Sequence, residues 1–160
     1  MSRELWLLRH GKAESGEGMA DSDRRLQKRG EQEVLQQGFC LQRQGLIPDI
    51  MVSSPAVRAY STARIIAETL IVPDVHWQQD GRLYFHGIDA LKQVLAELPQ
   101  TAHRVLLVGH NPDFEQLAND LAGVNHVRLA TASMARLAMP DDWQALPSGC
   151  ARLDTVIDPL

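Results

Sequence analysis

Short unbroken apolar runs punctuate the chain at regular intervals. Glu4–Leu8, Ile50–Val52 and Arg104–Val108 read as buried strands, because a parallel strand covered on both faces shows no polar alternation. Between them the spacing turns helical. Over Gln27–Gln44 it places Val34, Leu35, Gly38, Phe39 and Leu41 in one arc, with Gly45 as a C-terminal stop. Ser53-Ser54-Pro55 carries a helix-start signature, a hydroxyl cap with proline in the first turn. The helix it opens runs to about Leu70 on a stripe of Ala56, Ala59, Tyr60, Ala63, Ile66, Ala67 and Leu70, with Arg58 in its first turn, off the stripe.

Val75-His76-Trp77 is expected as a short edge strand, and Gly81–Gly87 as irregular. Ile88, Leu91, Leu95 and Leu98, closed by Pro99, predict a third helix, and Phe114, Leu117, Ala118, Leu121 and Ala122 a fourth. Ser133–Met139 and Ala151–Ile157 predict two strands joined closely enough to be antiparallel. The sum is an α/β fold, a three-layer α/β/α sandwich with a mostly parallel central sheet, in which the first strand neighbours Arg104–Val108.

Composition narrows the class. A chain of 160 residues, 44% hydrophobic and 22% charged, is expected to form one domain over residues 1–160 with a core of its own. The net charge of -4 argues against nucleic acid as a partner. Neither a targeting segment nor a membrane span is expected, and a cytoplasmic monomer is the natural reading. Cys40 and Cys150 have no metal-type or redox spacing, and Cys40 reads as a helix-surface thiol. Trp6 reads as core, Trp77 as edge packing, Trp143 as an exposed indole in a polar turn, and His103 and His126 as surface residues.

Candidate chemistry gathers where strands end. In open α/β sheets ligands sit beyond the carboxyl ends of the strands. Arg9-His10-Gly11 stands at one such end and Gly109-His110-Asn111 at another, with Asn111 read as a cap before Pro112, and Ser53-Ser54-Pro55 with Arg58 stands at a third. The glycine after His10 suits a sharp turn close to a ligand. Two imidazoles and two guanidiniums suit a phosphoryl-sized anion, because the arginine fork donates charge-assisted hydrogen bonds to phosphate oxygens. A neutral imidazole can attack phosphorus and hold the phosphoryl group. His10 is the expected nucleophile and His110 a donor to a phosphoryl oxygen. The neighbouring guanidiniums are expected to lower the His10 pKa, so that activity persists below neutral pH.

LLRHGKA, SSPAVRAYSTA and VLLVGHNP, in this order along the chain, together resemble the histidine phosphatase superfamily with its phosphoglycerate-mutase-like fold. The short chain and the Arg24-Arg25-Leu26 to Gly30 segment look most like the SixA-type phosphohistidine phosphatase branch. The resemblance implies that His10 is phosphorylated during turnover, that Arg9, Arg58 and His110 complete the phosphate pocket, and that Arg24 contributes from the variable first loop. It also implies a phosphorylated protein as partner, such as a histidine-containing phosphotransfer domain.

Larger members of the family place a glutamate acid after a middle strand and insert a cap. Here Gly81-Arg82-Leu83-Tyr84-Phe85-His86-Gly87 holds no glutamate, and no long insertion follows. A missing acid favours phosphohistidine over phosphate esters, since imidazole leaves more readily than an alkoxide; His86, Asp80 and Asp89 are the candidates for an acid in this region. A small-molecule phosphomonoesterase and a non-catalytic phospho-ligand module are the alternatives. No cofactor or metal is expected, because adjacent arginines repel a cation and the other histidines lack ligand spacing.

Overall fold

The computed structural model describes residues 2–159. The strands are β1 (Arg3–Arg9), β2 (Ile50–Ser53), β3 (Trp77–Gln79), β4 (Arg104–Gly109), β5 (Met134–Met139) and β6 (Arg152–Ile157); the helices are α1 (Lys28–Arg43), α2 (Val57–Leu70), α3 (Gly87–Ala96) and α4 (Asp113–Ala122). The strands form one sheet in the order β3-β2-β4-β1-β5-β6. The first four in that order run parallel, while β5 and β6 are antiparallel additions beyond β1. β1 lies beside β4, as the apolar runs predict.

Alternation along β1 explains why its whole length is apolar. Leu5 and Leu7 pack into a cluster with Leu91 and Leu95 of α3 and Phe114 and Leu117 of α4, on one side of the sheet. Trp6 and Leu8 point the other way, into a cluster with Val34 and Leu41 of α1 and Ala59, Ala63 and Ile66 of α2. Register then fixes the functional edge. Arg9 pairs with Gly109 and Ser53 with Val108, so His10 and His110 leave the sheet level with each other and Ser54 one residue before them.

Several expectations shift. The buried face of α1 comprises Gly30, Val34, Gln37, Gly38, Cys40 and Leu41, whereas Leu35 and Phe39 are exposed. The helix is rotated because Gln37 reaches the sheet end, its Nε2 donating to the carbonyls of Ala132 (2.9 Å) and Ile157 (2.7 Å). That rotation buries Cys40, which is therefore no surface thiol. Trp143 is fully buried rather than exposed: its Nε1 donates to the Ala102 carbonyl at 2.8 Å and the Arg3 guanidinium lies 5.5 Å over its ring. The segment before α2 extends two residues further than the Ser-Pro signature suggests, because Ser54 Oγ accepts the Ala56 amide (3.2 Å) in a tight turn and helical bonding begins after it. Val75 and His76 form a 3-10 turn that feeds β3, leaving only Trp77 of that trio in the edge strand.

Gly30 sits inside α1, where alanine ordinarily stabilises by about 1 kcal/mol. Here a Cβ would lie 2.1 Å from the Lys12 carbonyl oxygen and 2.8 Å from its amide nitrogen. The collision is with backbone, which cannot yield like a flexible side chain. Gly30→Ala should therefore destabilise the fold, by roughly 3 kcal/mol, and displace the loop that follows Gly11. Urea denaturation measures this; a midpoint equal to or above wild type would show that the two backbones are not locked together.

Candidate active site

His10 is clamped by backbone on both sides. Its amide donates to the Gly109 carbonyl at 3.1 Å, and the Ala132 amide donates to the carbonyls of Arg9 (3.1 Å) and His10 (3.0 Å). The ring is buried, with Nδ1 2.6 Å from the Gly11 carbonyl oxygen. A carbonyl only accepts, so Nδ1 carries the hydrogen and the Nε2 lone pair is free. Gly11 has no left-handed φ, contrary to the sharp turn expected. It is needed for packing: a Cβ there would meet Val34 Cγ2 at 2.7 Å and the Gly30 carbonyl at 2.9 Å. Its amide donates to Thr62 Oγ1 at 3.0 Å, which ties the strand end to α2.

The His110 ring lies 5.2 Å from that of His10, centroid to centroid. Its Nε2 is 2.8 Å from Ser54 Oγ. Ser54 is fully buried, and Nε2 is the one acceptor its hydroxyl hydrogen meets among the described residues. The hydroxyl therefore donates to Nε2, which leaves the hydrogen on Nδ1, a buried nitrogen without a partner. Ser54 thus supports a histidine as well as the turn before α2.

Burial pushes His10 down from the ordinary 6.5 to about 4; Arg58 and Arg9 add to the shift and the Gly11 carbonyl opposes it. Burial first, then His10 and Arg58, push His110 down to about 3. The guanidiniums lower the His10 pKa as expected, with desolvation the larger cause. In the unfolded chain both imidazoles protonate near 6.5, so below that pH the unfolded state binds more protons than the folded one. Stability must fall as pH drops through this window, and for His10 alone by about 3 kcal/mol at pH 4. Urea titrations at pH 7 and pH 5 should show the loss, and His10→Gln and His110→Gln should each reduce it. A pH-independent midpoint over that range would contradict neutral burial.

The arginines are positioned from separate segments. Arg9 Nη1 donates to the Leu129 carbonyl at 3.0 Å. Asn111 Nδ2 holds the same carbonyl at 2.9 Å and Glu115 Oε2 at 2.9 Å, so Asn111 organises the loop under Arg9 and does not cap α4. Arg58 is buried, unlike the off-stripe position the helix spacing suggests. Its Nη1 donates to the Asp21 carbonyl (2.8 Å) and its Nη2 to the Asp21 carboxylate (2.9 Å). Arg24, at the rim, donates from Nη1 to Asp21 Oδ1 at 3.0 Å and from Nε to the Glu14 carbonyl at 2.8 Å. Arg9 Nε and Arg58 Nε are buried without partners, like His110 Nδ1. The His10 ring, with its free Nε2 lone pair, thus has the His110 ring at 5.2 Å and the Arg58 and Arg9 guanidiniums near enough to act on its charge. Buried donors are almost always paired, so unpartnered N–H groups on three neighbours of His10 suit these residues to an anion.

Asp21 is not among the residues that the sequence singles out. Beyond the two arginines it accepts the Tyr84 hydroxyl at 2.6 Å, and that bond, with those from Arg24 and Arg58, holds its carboxyl far below the usual carboxylate range. Only its proximity to Arg24 hinted at a role. Tyr84 and Phe85 flank His110, with ring centroids at 5.4 and 4.6 Å. The acid candidates are placed elsewhere. Asp80 accepts Arg82 Nη2 at 2.7 Å, and Arg82 pulls its pKa down, so it holds no proton to give near neutrality. Exposed His86 has its Nδ1 on the Tyr84 carbonyl at 2.8 Å, and Asp89 is exposed on α3. None of the three bonds to His10, His110, Arg9 or Arg58. Among the described residues no group of three or more His, Cys, Asp or Glu side chains could hold a metal ion, and no helix is long and apolar enough to cross a membrane.

Comparison with known proteins bears on the fold and the family. The fold is similar to that of the protein histidine phosphatase SixA in complex with tungstate, with a TM-score of 0.85 at 21% identity, covering 98% of this chain and 97% of that one. A candidate phosphohistidine phosphatase SixA from Nakamurella multipartitia is similar with a TM-score of 0.83 at 27% identity, covering 99% of this chain and 96% of the other. An uncharacterized protein of Picosynechococcus sp. is 31% identical over 163 residues, spanning 97% of this chain and 91% of its own. The family model of the histidine phosphatase superfamily, branch 1, matches residues 5–84, half of the 160 residues and the part that carries Arg9, His10 and Arg58. The chain therefore belongs to the histidine phosphatase superfamily.

Proposed function

We propose that this protein is a phosphohistidine phosphatase, acting on a phosphorylated histidine displayed by a partner protein such as a phosphotransfer domain. The observation that carries the reading is the free His10 Nε2 lone pair on a ring 5.2 Å from His110 and close to the Arg58 and Arg9 charges, with an N–H of each of these three neighbours buried and unpartnered. In the first step Nε2 attacks phosphorus, the bond from phosphorus to the substrate imidazole breaks, and that imidazole takes a proton from solvent. His10 becomes positive, and its Nδ1–H bond to the Gly11 carbonyl strengthens as it does. Arg9, Arg58 and His110 hold the phosphoryl oxygens, with Arg24 at the rim. Water then attacks phosphorus, the bond to Nε2 breaks, and phosphate leaves with His10 neutral again. That a SixA binds tungstate, an oxyanion of phosphate's shape, supports such a pocket.

The substrate class follows from what the site lacks. An alkoxide leaving group needs a positioned acid, typically worth 10²- to 10⁴-fold, and the residues from Asp80 to Asp89 place none on the two histidines. Imidazole needs less help. Because burial keeps His10 neutral down to about pH 4, activity should persist well below neutral pH. The test is phosphate release from a phosphohistidine-bearing protein and from a simple phosphate monoester. Preference for the first is expected. Preference for the ester would overturn the substrate assignment, and turnover of neither would leave a phospho-ligand binding module.

A further inference from the structure

Phe85 stands out among the residues around the pocket. It is 46% exposed and belongs to neither apolar core cluster. Its φ is 58°, in the left-handed region where a bulky side chain costs on the order of 1–3 kcal/mol. The fold gains no core packing from this ring to offset that cost. The strain instead sets the ring beside His110, at 4.6 Å between centroids and 33° between planes. Tyr84 packs against both rings, edge-on to Phe85 at 4.9 Å and 5.4 Å from His110, and is itself anchored by its hydroxyl on Asp21. An exposed aromatic in a strained backbone, braced against a histidine of the phosphoryl pocket, is built to meet something outside the chain.

We infer that Phe85 is a substrate-contacting residue, an aromatic wall at the mouth of the pocket that receives the flat ring of the leaving imidazole. The inference rests on the proposed function and deepens it: recognition of phosphohistidine would come from the leaving ring as well as from the phosphoryl group. In-line attack by His10 Nε2 puts the leaving group on the side of phosphorus away from His10, and Phe85, 4.6 Å from the His110 ring and 46% exposed, offers it an aromatic surface. Aromatic rings favour offset or edge contacts with centroids 4.5–7 Å apart, and such a pair adds up to about tenfold in affinity or rate. An aliphatic leaving group would draw no such benefit.

Two small substrates separate the ring from the phosphorus–nitrogen bond: phosphoimidazole carries the ring and phosphoramidate does not. Wild type, Phe85→Ala, Phe85→Leu and Phe85→Trp are compared on both. The expected result is that the alanine and leucine variants lose about three- to tenfold more kcat/KM on phosphoimidazole than on phosphoramidate, while tryptophan retains the wild-type ratio. Equal losses on both substrates would overturn the inference and make Phe85 a support for His110. Unchanged rates on both would overturn it as well. Turnover of neither substrate by wild type would instead overturn the proposed function, and the wall with it, so the two failures are distinguishable.

Discussion

His10→Asn should abolish phosphate release from a phosphohistidine substrate, with a loss on the order of 10⁴-fold or more. Asparagine is the informative replacement because its amide N–H can still donate to the Gly11 carbonyl, now held by Nδ1 at 2.6 Å. What it cannot supply is a nucleophilic lone pair on a ring nitrogen. The clamp on this residue is made by backbone groups of Gly109 and Ala132, so it survives the substitution. A stability measurement should show a folded protein, and tungstate should still bind, since Arg9, Arg58 and His110 remain. Wild type mixed with substrate and quenched in alkali should carry a phosphoryl group on the enzyme, stable to base and labile to acid as a phosphorus–nitrogen bond is; the variant should carry none. Residual turnover within tenfold of wild type would remove His10 from the nucleophile's role, whatever else the site does.

Much of this architecture is legible in the chain because its strong signals are local. Unbroken apolar runs gave β1, β2 and β4, and the abrupt polar residues at their ends gave His10 and His110. Parallel pairing then needs no further information, since register alone brings Arg9 level with Gly109. The errors share one cause, side chains whose environment is set by distant backbone. Trp143 looks exposed among polar neighbours, yet its indole finds the Ala102 carbonyl far back in sequence. Cys40 and Gln37 are buried because α1 turns toward the ends of β5 and β6, which helical spacing cannot foresee. Gly11 is a packing glycine, and only the approach of α1 reveals it. Asp21 and Tyr84 escaped notice for the same reason. Neither sits at a strand end, and their bond joins segments 63 residues apart.

The environment of Arg58 reverses one further expectation. A guanidinium at an anion site suggests a fork gripping two oxygens, but both terminal nitrogens of Arg58 are already held by Asp21. The one nitrogen of the group without a partner is the buried Nε, fixed in direction because the rest of the group is tied down. The consequence is a sharp distinction between arginine and lysine at this position. Arg58→Lys should lose nearly as much kcat/KM as Arg58→Ala, both about 10²- to 10³-fold, the range for removing one oriented donor from a charge-stabilising site. A lysine ammonium is a compact point charge on a flexible stem and would be drawn to the Asp21 carboxylate, with no second group held in place for phosphate. The fold should tolerate either change, because Asp21 is 48% exposed and keeps Arg24 and the Tyr84 hydroxyl as partners. Steady-state kinetics and competition by tungstate read the effect together, and both should weaken in parallel. A lysine variant within a few-fold of wild type would show that Arg58 acts through its charge alone, and that the direction imposed by Asp21 does not matter to transfer.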